Sequence, residues 1–167
     1  MIVNKTFWHG KNVLITGHTG FKGSWLSLWL EFLEANVTGY SLEPNTERDN
    51  FVLTGLEKRT NHLIGDVRDF QKLLKVFEKY KPEFVFHLAA QPLVRQSYVY
   101  PKETYDVNIG GTVNILECVR LTNSVKVFIN VTSDKCYENE EWIWGYREND
   151  RLGGNDPYSN SKAGSEL

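Results

Sequence analysis

The stretch Val13-Leu14-Ile15-Thr16-Gly17-His18-Thr19-Gly20-Phe21-Lys22-Gly23-Ser24-Trp25 decides how the chain is read. An apolar run ends in glycines spaced G-x-x-G-x-x-G, and an amphipathic segment with Trp25, Leu26, Trp29, Leu30 and Leu33 follows. That is a strand, a tight turn and a helix. Gly17 suits a backbone conformation that other residues resist, Gly20 leaves room for a diphosphate, and Gly23 lets the helix lie close to the strand. The helix N-terminus then offers free N–H groups and partial positive charge to phosphate. A mononucleotide P-loop is the neighbouring motif, but it requires G-x-x-x-x-G-K-[ST], and here Lys22 precedes Gly23. The turn therefore reads as dinucleotide-binding.

Strand and helix signals alternate on both sides of this turn. Residues 12–16 form the first strand. Ala35-Asn36 closes the first helix, residues 37–40 form a second strand, and the polar residues 44–50 a loop. A third strand at 62–64 is followed by Phe70, Leu73, Leu74 and Phe77 at helical spacing, up to Pro82. The continuous apolar run 84–88 suits a central parallel strand covered on both faces. A long helix is predicted over 104–122, weakened at Gly110-Gly111, and a fifth strand over 125–131. The pattern predicts an α/β fold, a doubly wound parallel sheet. The loops after residues 16, 40, 65, 88 and 131 would share the edge where such sheets bind ligands. A last helix begins near Pro157 with no room to finish, which suggests the N-terminal part of a longer protein.

Composition narrows the function classes. The 167 residues are 41% hydrophobic and 24% charged, an ordinary globular mixture, and the formal net charge of −2 offers neither a nucleic-acid nor a membrane surface. No apolar run approaches about 18 residues, and the start Met1-Ile2-Val3-Asn4-Lys5-Thr6 lacks a signal-peptide core, so a cytoplasmic protein is expected. Cys118 and Cys136 read as reduced structural thiols. His9, His18, His62 and His87 show no metal-ligand spacing, so no metal is expected.

Tyr158 and Lys162 stand four apart on the last helix, one turn from each other on one face. A phenol's ordinary pKa of ~10 makes it a poor base at neutral pH, and a lysine ammonium one turn away favours the phenolate. With Thr16-Gly17-x-x-Gly20-x-x-Gly23, Gly65-Asp66, Leu88-Ala89-Ala90-Gln91, Asn108 and Thr132-Ser133 in the same order, the chain resembles the extended short-chain dehydrogenase/reductases over essentially its whole length. Ser133-Asp134-Lys135 falls where the sugar-nucleotide 4,6-dehydratases of that family carry a hydroxyl, an acid and a third catalytic residue. Lysine in the third place, together with residues 17–25 and Asn155-Asp156-Pro157-Tyr158, is similar to the branch acting on CDP-glucose.

The resemblance implies a Rossmann-type NAD-binding domain with the C-terminal substrate domain absent from this chain. It implies a nucleotide-sugar substrate, a homodimer, and a 4-keto-6-deoxy product used in cell-surface O-antigen polysaccharide. Gly17, His18, Thr19, Gly20, Phe21, Lys22, Gly23, Asp66, Val67, Leu88, Ala89, Ala90, Gln91, Thr132, Tyr158 and Lys162 would line the cofactor. Arg95 and Asn108 would meet substrate. Tyr158 would be the base at the sugar C4 hydroxyl, Lys162 would hold the ribose, and Ser133 would bond the C4 oxygen. Asp134 as acid and Lys135 as base would manage elimination, in protonation states that burial would have to arrange. A 4-epimerase of the same family and a non-catalytic dinucleotide sensor are the alternatives.

The chain departs from the family pattern at three places, one of them Lys22, where an apolar residue is usual. His18 stands where a second glycine is usual, so it would crowd the diphosphate or bind it; on the crowding reading, His18→Gly is expected to tighten NAD binding. The second strand ends in Tyr40-Ser41-Leu42 without the acid that usually selects NAD, which leaves NADP open on residues alone. Trp142, Trp144 and Tyr146, with Glu148 and Asp150, form an aromatic insertion before the Tyr158 helix.

Overall fold

Five parallel strands stand in the order β3-β2-β1-β4-β5, in a computed structural model that describes residues 4–167. The strands are β1 (Asn12–Thr16), β2 (Asn36–Ser41), β3 (Asn61–Ile64), β4 (Phe84–His87) and β5 (Val127–Asn130). Met1–Val3, part of the start read as lacking a signal core, lie outside the described residues. The helices are α1 (Lys5–Trp8), α2 (Phe21–Phe32), α3 (Asn50–Leu53), α4 (Phe70–Tyr80), α5 (Val94–Val99), α6 (Pro101–Tyr105), α7 (Gly111–Leu121) and α8 (Pro157–Glu166). Chain direction across the sheet reverses between β1 and β4, which register Thr16 against His87, so a crevice opens there at the carboxyl edge.

One face of the sheet, with Leu14, Tyr40 and Val85, packs on Leu73, Phe77, Ile115 and Cys118 of α4 and α7. α4 forms as its periodicity predicts: Asp69 caps its start by accepting from Lys72 N–H, and Lys81, with φ +43°, ends it before Pro82. The other face, with Val13, Ile15 and Val37, packs on Leu30 of α2. Trp8 of α1 packs over Phe84 and Phe86 on the same face. An apolar groove of about 370 Å³ runs between Trp29, Leu33, Phe84, Phe86, Val127 and Ile129.

One expectation about the helices is corrected. Trp25 and Trp29 do not form the buried face of α2; both are half exposed, and Gly23, Ser24, Ser27 and Leu30 are buried instead. The cause is the close start of the helix. A Cβ at Gly23 would lie 2.1 Å from the Gly17 carbonyl oxygen, so α2 can meet the turn only through its small-residue side. The helix predicted over 104–122 is α6, a π turn at Asp106–Gly110, and α7. The helix continues without a break, and the π turn ends at the weak Gly110-Gly111 pair, with Asn108 buried within it.

Candidate active site

The glycine turn is built as its spacing requires. Gly17 takes φ +73°, and a Cβ there would lie 2.8 Å from the Ala89 amide nitrogen, so the ends of β1 and β4 nearly touch. Gly20 N–H donates to the Gly17 carbonyl, and Ser24 N–H to Gly20, leaving the N–H groups of the first turn of α2 directed along the helix axis towards the crevice. This cradle, bare of side chains at Gly17, Gly20 and Gly23, fits a dinucleotide diphosphate. Phe21 and Lys22 stay exposed.

His18 is placed otherwise than expected. Its ring is fully buried beneath the turn, with Nε2 2.7 Å from His62 Nδ1, and neither crowds nor binds a diphosphate. Burial first, and the nearby His62 second, push its pKa down to about 3. Thr19 is also turned inward, donating to the Leu42 carbonyl at 3.0 Å and bonding Ser41 at 2.7 Å. The end of β2, where NAD-selecting proteins usually place an acid, thus holds the loop by hydroxyls.

A buried network then joins β1, β4 and the catalytic helix. Thr16 Oγ1 accepts from Leu88 and Ala89 N–H at 3.2 Å each and donates to His87 Nδ1 at 2.7 Å. His87 Nε2 donates to Thr112 Oγ1 at 3.2 Å, and Thr112 donates to the Asn108 carbonyl at 2.7 Å. Each hydroxyl donates once, which requires neutral imidazole; burial, then the charge of Lys162, pushes His87 down to about 4. Asn108 accepts from Gln91 N–H at 2.8 Å and donates to the Gln91 carbonyl and, at 2.8 Å, to Ser161 Oγ. Ser161 in turn donates to the Tyr158 carbonyl. Asn108 is 2% exposed, so the substrate contact expected of it is replaced by a positioning role between the β4 loop and α8.

Nothing in the spacing of His87, Thr112 and Ser161 marks them as site residues; Ser97, which with Arg95 follows the fourth strand where substrate could be met, is instead fully buried. Ser97 accepts from Tyr158 N–H at 3.1 Å and so seats the start of α8, where Asp156 caps by accepting from Ser159 N–H. Gln91 spends its side chain on Leu93 and Thr104, and Ala89, Ala90 and Leu88 are half-buried along the crevice. Lys162 is 5% exposed and donates to the Val131 carbonyl at 3.0 Å. Burial lowers its pKa, with the Lys22 ammonium adding to that shift, whereas Cys136 and Glu166 oppose it.

Ser133, Asp134 and Lys135 stand at the carboxyl end of β5, packed beside α8, with Thr132 half-buried just before them. Ser133 Oγ donates to Asp134 Oδ1 at 3.0 Å and accepts from Lys135 N–H. Asp134 and Lys135 are exposed, so the burial expected to arrange their protonation states is not supplied by these residues. Asp66 is engaged too: Arg68 holds its carboxylate by two guanidinium nitrogens and lowers its pKa, while Asn114 donates to the Val67 carbonyl. Asp69 caps the following helix. Arg95 is exposed on α5. The insertion at 138–151 is closed by pairing of Tyr137 with Leu152 and filled by Tyr146, stacked on Tyr137 at 5.3 Å. Its tip, Ile143 and Trp144, is exposed, and at its base lies a polar cavity of about 200 Å³ lined by Lys135, Asn139 and Asp156.

A family profile described as GDP-mannose 4,6 dehydratase matches residues 14–167. The chain belongs to the GDP-mannose 4,6 dehydratase family. Within that family it is 55% identical to CDP-glucose 4,6-dehydratase of Salmonella typhimurium, over 99% of this chain and 46% of the relative. It is 28% identical to CDP-paratose 2-epimerase of Salmonella typhi, over 92% and 50%. Among solved structures, UDP-glucose 4-epimerase from Brucella ovis in complex with NAD shares the fold at a TM-score of 0.77 and 28% identity, covering 94% of this chain and 46% of that one. UDP-glucose 4-epimerase from Thermotoga maritima with UDP-glucose gives 0.83 and 26%, over 93% and 48%. The chain of this family member spans about half the length of the relatives it matches.

Two buried neutral histidines make the fold acid-sensitive. His18 and His87 would titrate near 6.5 when unfolded but only near 3 and 4 when folded, so unfolding takes up protons between those values. Their stabilising contribution is complete above pH 6.5 and is lost as pH falls. Between pH 6.5 and 5, above the ordinary carboxylate range, each contributes a slope of up to about 1.4 kcal/mol per pH unit. Urea unfolding should show stability falling over that interval, and His87→Gln should remove part of the slope; a flat profile would contradict the buried neutral pair.

Proposed function

We propose that this chain is the cofactor-binding part of an NAD-dependent sugar-nucleotide 4,6-dehydratase acting on CDP-glucose, with the remaining substrate contacts supplied by the C-terminal half that its relatives possess. The observation that carries the reading is the convergence of the bare glycine cradle, the Tyr158–Lys162 helix and Ser133-Asp134-Lys135 on one edge of the sheet. The 55% identity to a CDP-glucose 4,6-dehydratase supports the choice of nucleotide, and the NAD complex of a structural neighbour supports the cofactor. A cytoplasmic homodimer is part of the same proposal, as is a C-terminal segment over the apolar groove.

NAD would serve as a temporary store for the hydride taken from sugar C4 and given back at C6. Tyr158 takes the C4 hydroxyl proton, with the buried Lys162 one turn away on the same helix. Ser133 offers its hydroxyl to the C4 oxygen. Once C4 is a ketone, the C5 hydrogen is acidic; Lys135 takes that proton, and Asp134 protonates the C6 hydroxyl so that water can leave. A proton then returns to C5 as C6 is reduced, and no net oxidation results. The enclosure that Asp134 and Lys135 lack here falls to the C-terminal half and to the substrate. A 4-epimerase would use Tyr158 and Lys162 but no elimination pair.

Incubating the full-length protein with NAD and CDP-, dTDP-, GDP- or UDP-sugars tests the proposal. The 4-keto-6-deoxy product should form from CDP-glucose. Turnover of another nucleotide alone overturns the substrate assignment, and C4 inversion without dehydration favours the epimerase.

A further inference from the structure

The imidazole of His18 enters a closed slot beneath the glycine turn. Gly39 of β2 forms its floor: a Cβ there would lie 2.1 Å from His18 Cδ2 and 2.2 Å from Cγ, so any larger residue occupies the ring's place. Phe51 of α3 meets the ring edge-on at 5.2 Å, and His62 of β3 bonds it at 2.7 Å. With no exposed surface, the ring has nowhere to swing. Its Cα is one of the atoms closest to Gly23, 2.8 Å from where a Cβ of Gly23 would stand, so the ring's seat sets the backbone against which α2 begins.

We propose that His18 is a latch for the cofactor loop, and that Gly39 and His62 are positioning residues which act through it. This rests on the reading that the turn holds a dinucleotide. An ordinary dinucleotide turn relies on glycine at the second place for close approach; here that place is used for an inward side chain that pins the turn to β2 and β3. The expectation that removing the imidazole tightens NAD binding is thereby reversed. Without the ring the turn loses its attachment, and the N–H groups facing the diphosphate are no longer held in place before ligand arrives.

The test is a double-mutant cycle in the full-length protein, read as NAD affinity by calorimetry. Gly39→Ala and His18→Ala should each weaken NAD binding about tenfold, whereas the double variant should bind no more weakly than His18→Ala, because the new methyl then meets an empty slot. His62→Leu should also weaken binding about tenfold, and His62→Asn, which puts an amide atom near the place of Nδ1, should recover most of it. In turnover, KM for NAD should rise in Gly39→Ala and His62→Leu while kcat at saturating NAD stays within about twofold, a split that general loss of fold would not produce. Additive effects in the double variant, or wild-type affinity in the single ones, overturn the latch. Should Gly39→Ala fail to accumulate, the His62 pair decides alone. Absence of NAD binding by the wild-type protein overturns the cofactor reading, and the latch with it.

Discussion

Gly23→Ala is expected to weaken NAD binding by about 100-fold, equivalent to about 2.7 kcal/mol. The methyl would stand 2.1 Å from the Gly17 carbonyl oxygen and 2.8 Å from its carbon and from His18 Cα. All three are backbone atoms of a turn tied down on the far side: Gly17 N–H donates to the Tyr40 carbonyl, and its Cα abuts Ala89. Relief can come only from moving α2 away from β1, which takes the first-turn N–H groups off the crevice and leaves Leu30 less well packed on Val13 and Ile15. Overpacking of this kind costs about 1–3 kcal/mol of stability, so the thermal midpoint should fall as well. Gly110→Ala is the control, since outside its chain neighbours and its own helix backbone nothing lies within 4 Å of the added methyl, and it should bind NAD as the wild type does. Equal affinities for the two variants would mean that the turn is not where the diphosphate rests.

That contrast also marks what can be read from residues alone. The sheet is legible because β-branched and aromatic runs end at Thr16, Tyr40, Ile64 and His87, and right-handed crossovers leave little choice of order for strands separated by helices. The glycine spacing is legible because each position answers a local steric demand. His18 is a different case. Its place is settled by Gly39 and His62, residues 21 and 44 positions away that the sheet brings beneath it, and no local pattern records that a strand has left a slot. Asn108 is hidden by the same kind of cause: a helical reading places it one turn from Thr112, and only the π turn aims it at Gln91 and Ser161. The tryptophans of α2 mislead in the opposite direction, since hydrophobicity argues for burial and the Gly23 contact decides otherwise.

Asp134→Asn is expected to lower the full-length protein's rate of dehydration by about 10²–10⁴-fold, the usual contribution of a positioned acid, while leaving oxidation at C4 in place. Asn keeps the shape of the side chain and an oxygen able to accept from Ser133, so the turn at Asp134–Cys136 and the seat of α8 should persist. It has no proton to give to the departing C6 hydroxide. A 4-keto sugar nucleotide with its C6 hydroxyl intact should therefore be trapped, recoverable after rapid denaturation. Tyr158→Phe should stop the reaction one step earlier, because the C4 hydroxyl proton then has no acceptor; the helix survives, since Tyr158 contributes its backbone, not its phenol, to Ser97 and Ser161. The two variants separate the chemistry by position. If Asp134→Asn turned over at the wild-type rate, Ser133-Asp134-Lys135 would be a solvated turn and the epimerase reading would gain. If it lost C4 oxidation together with dehydration, Asp134 would serve the oxidation site, and the source of the proton for the leaving hydroxide would have to be sought in the C-terminal half.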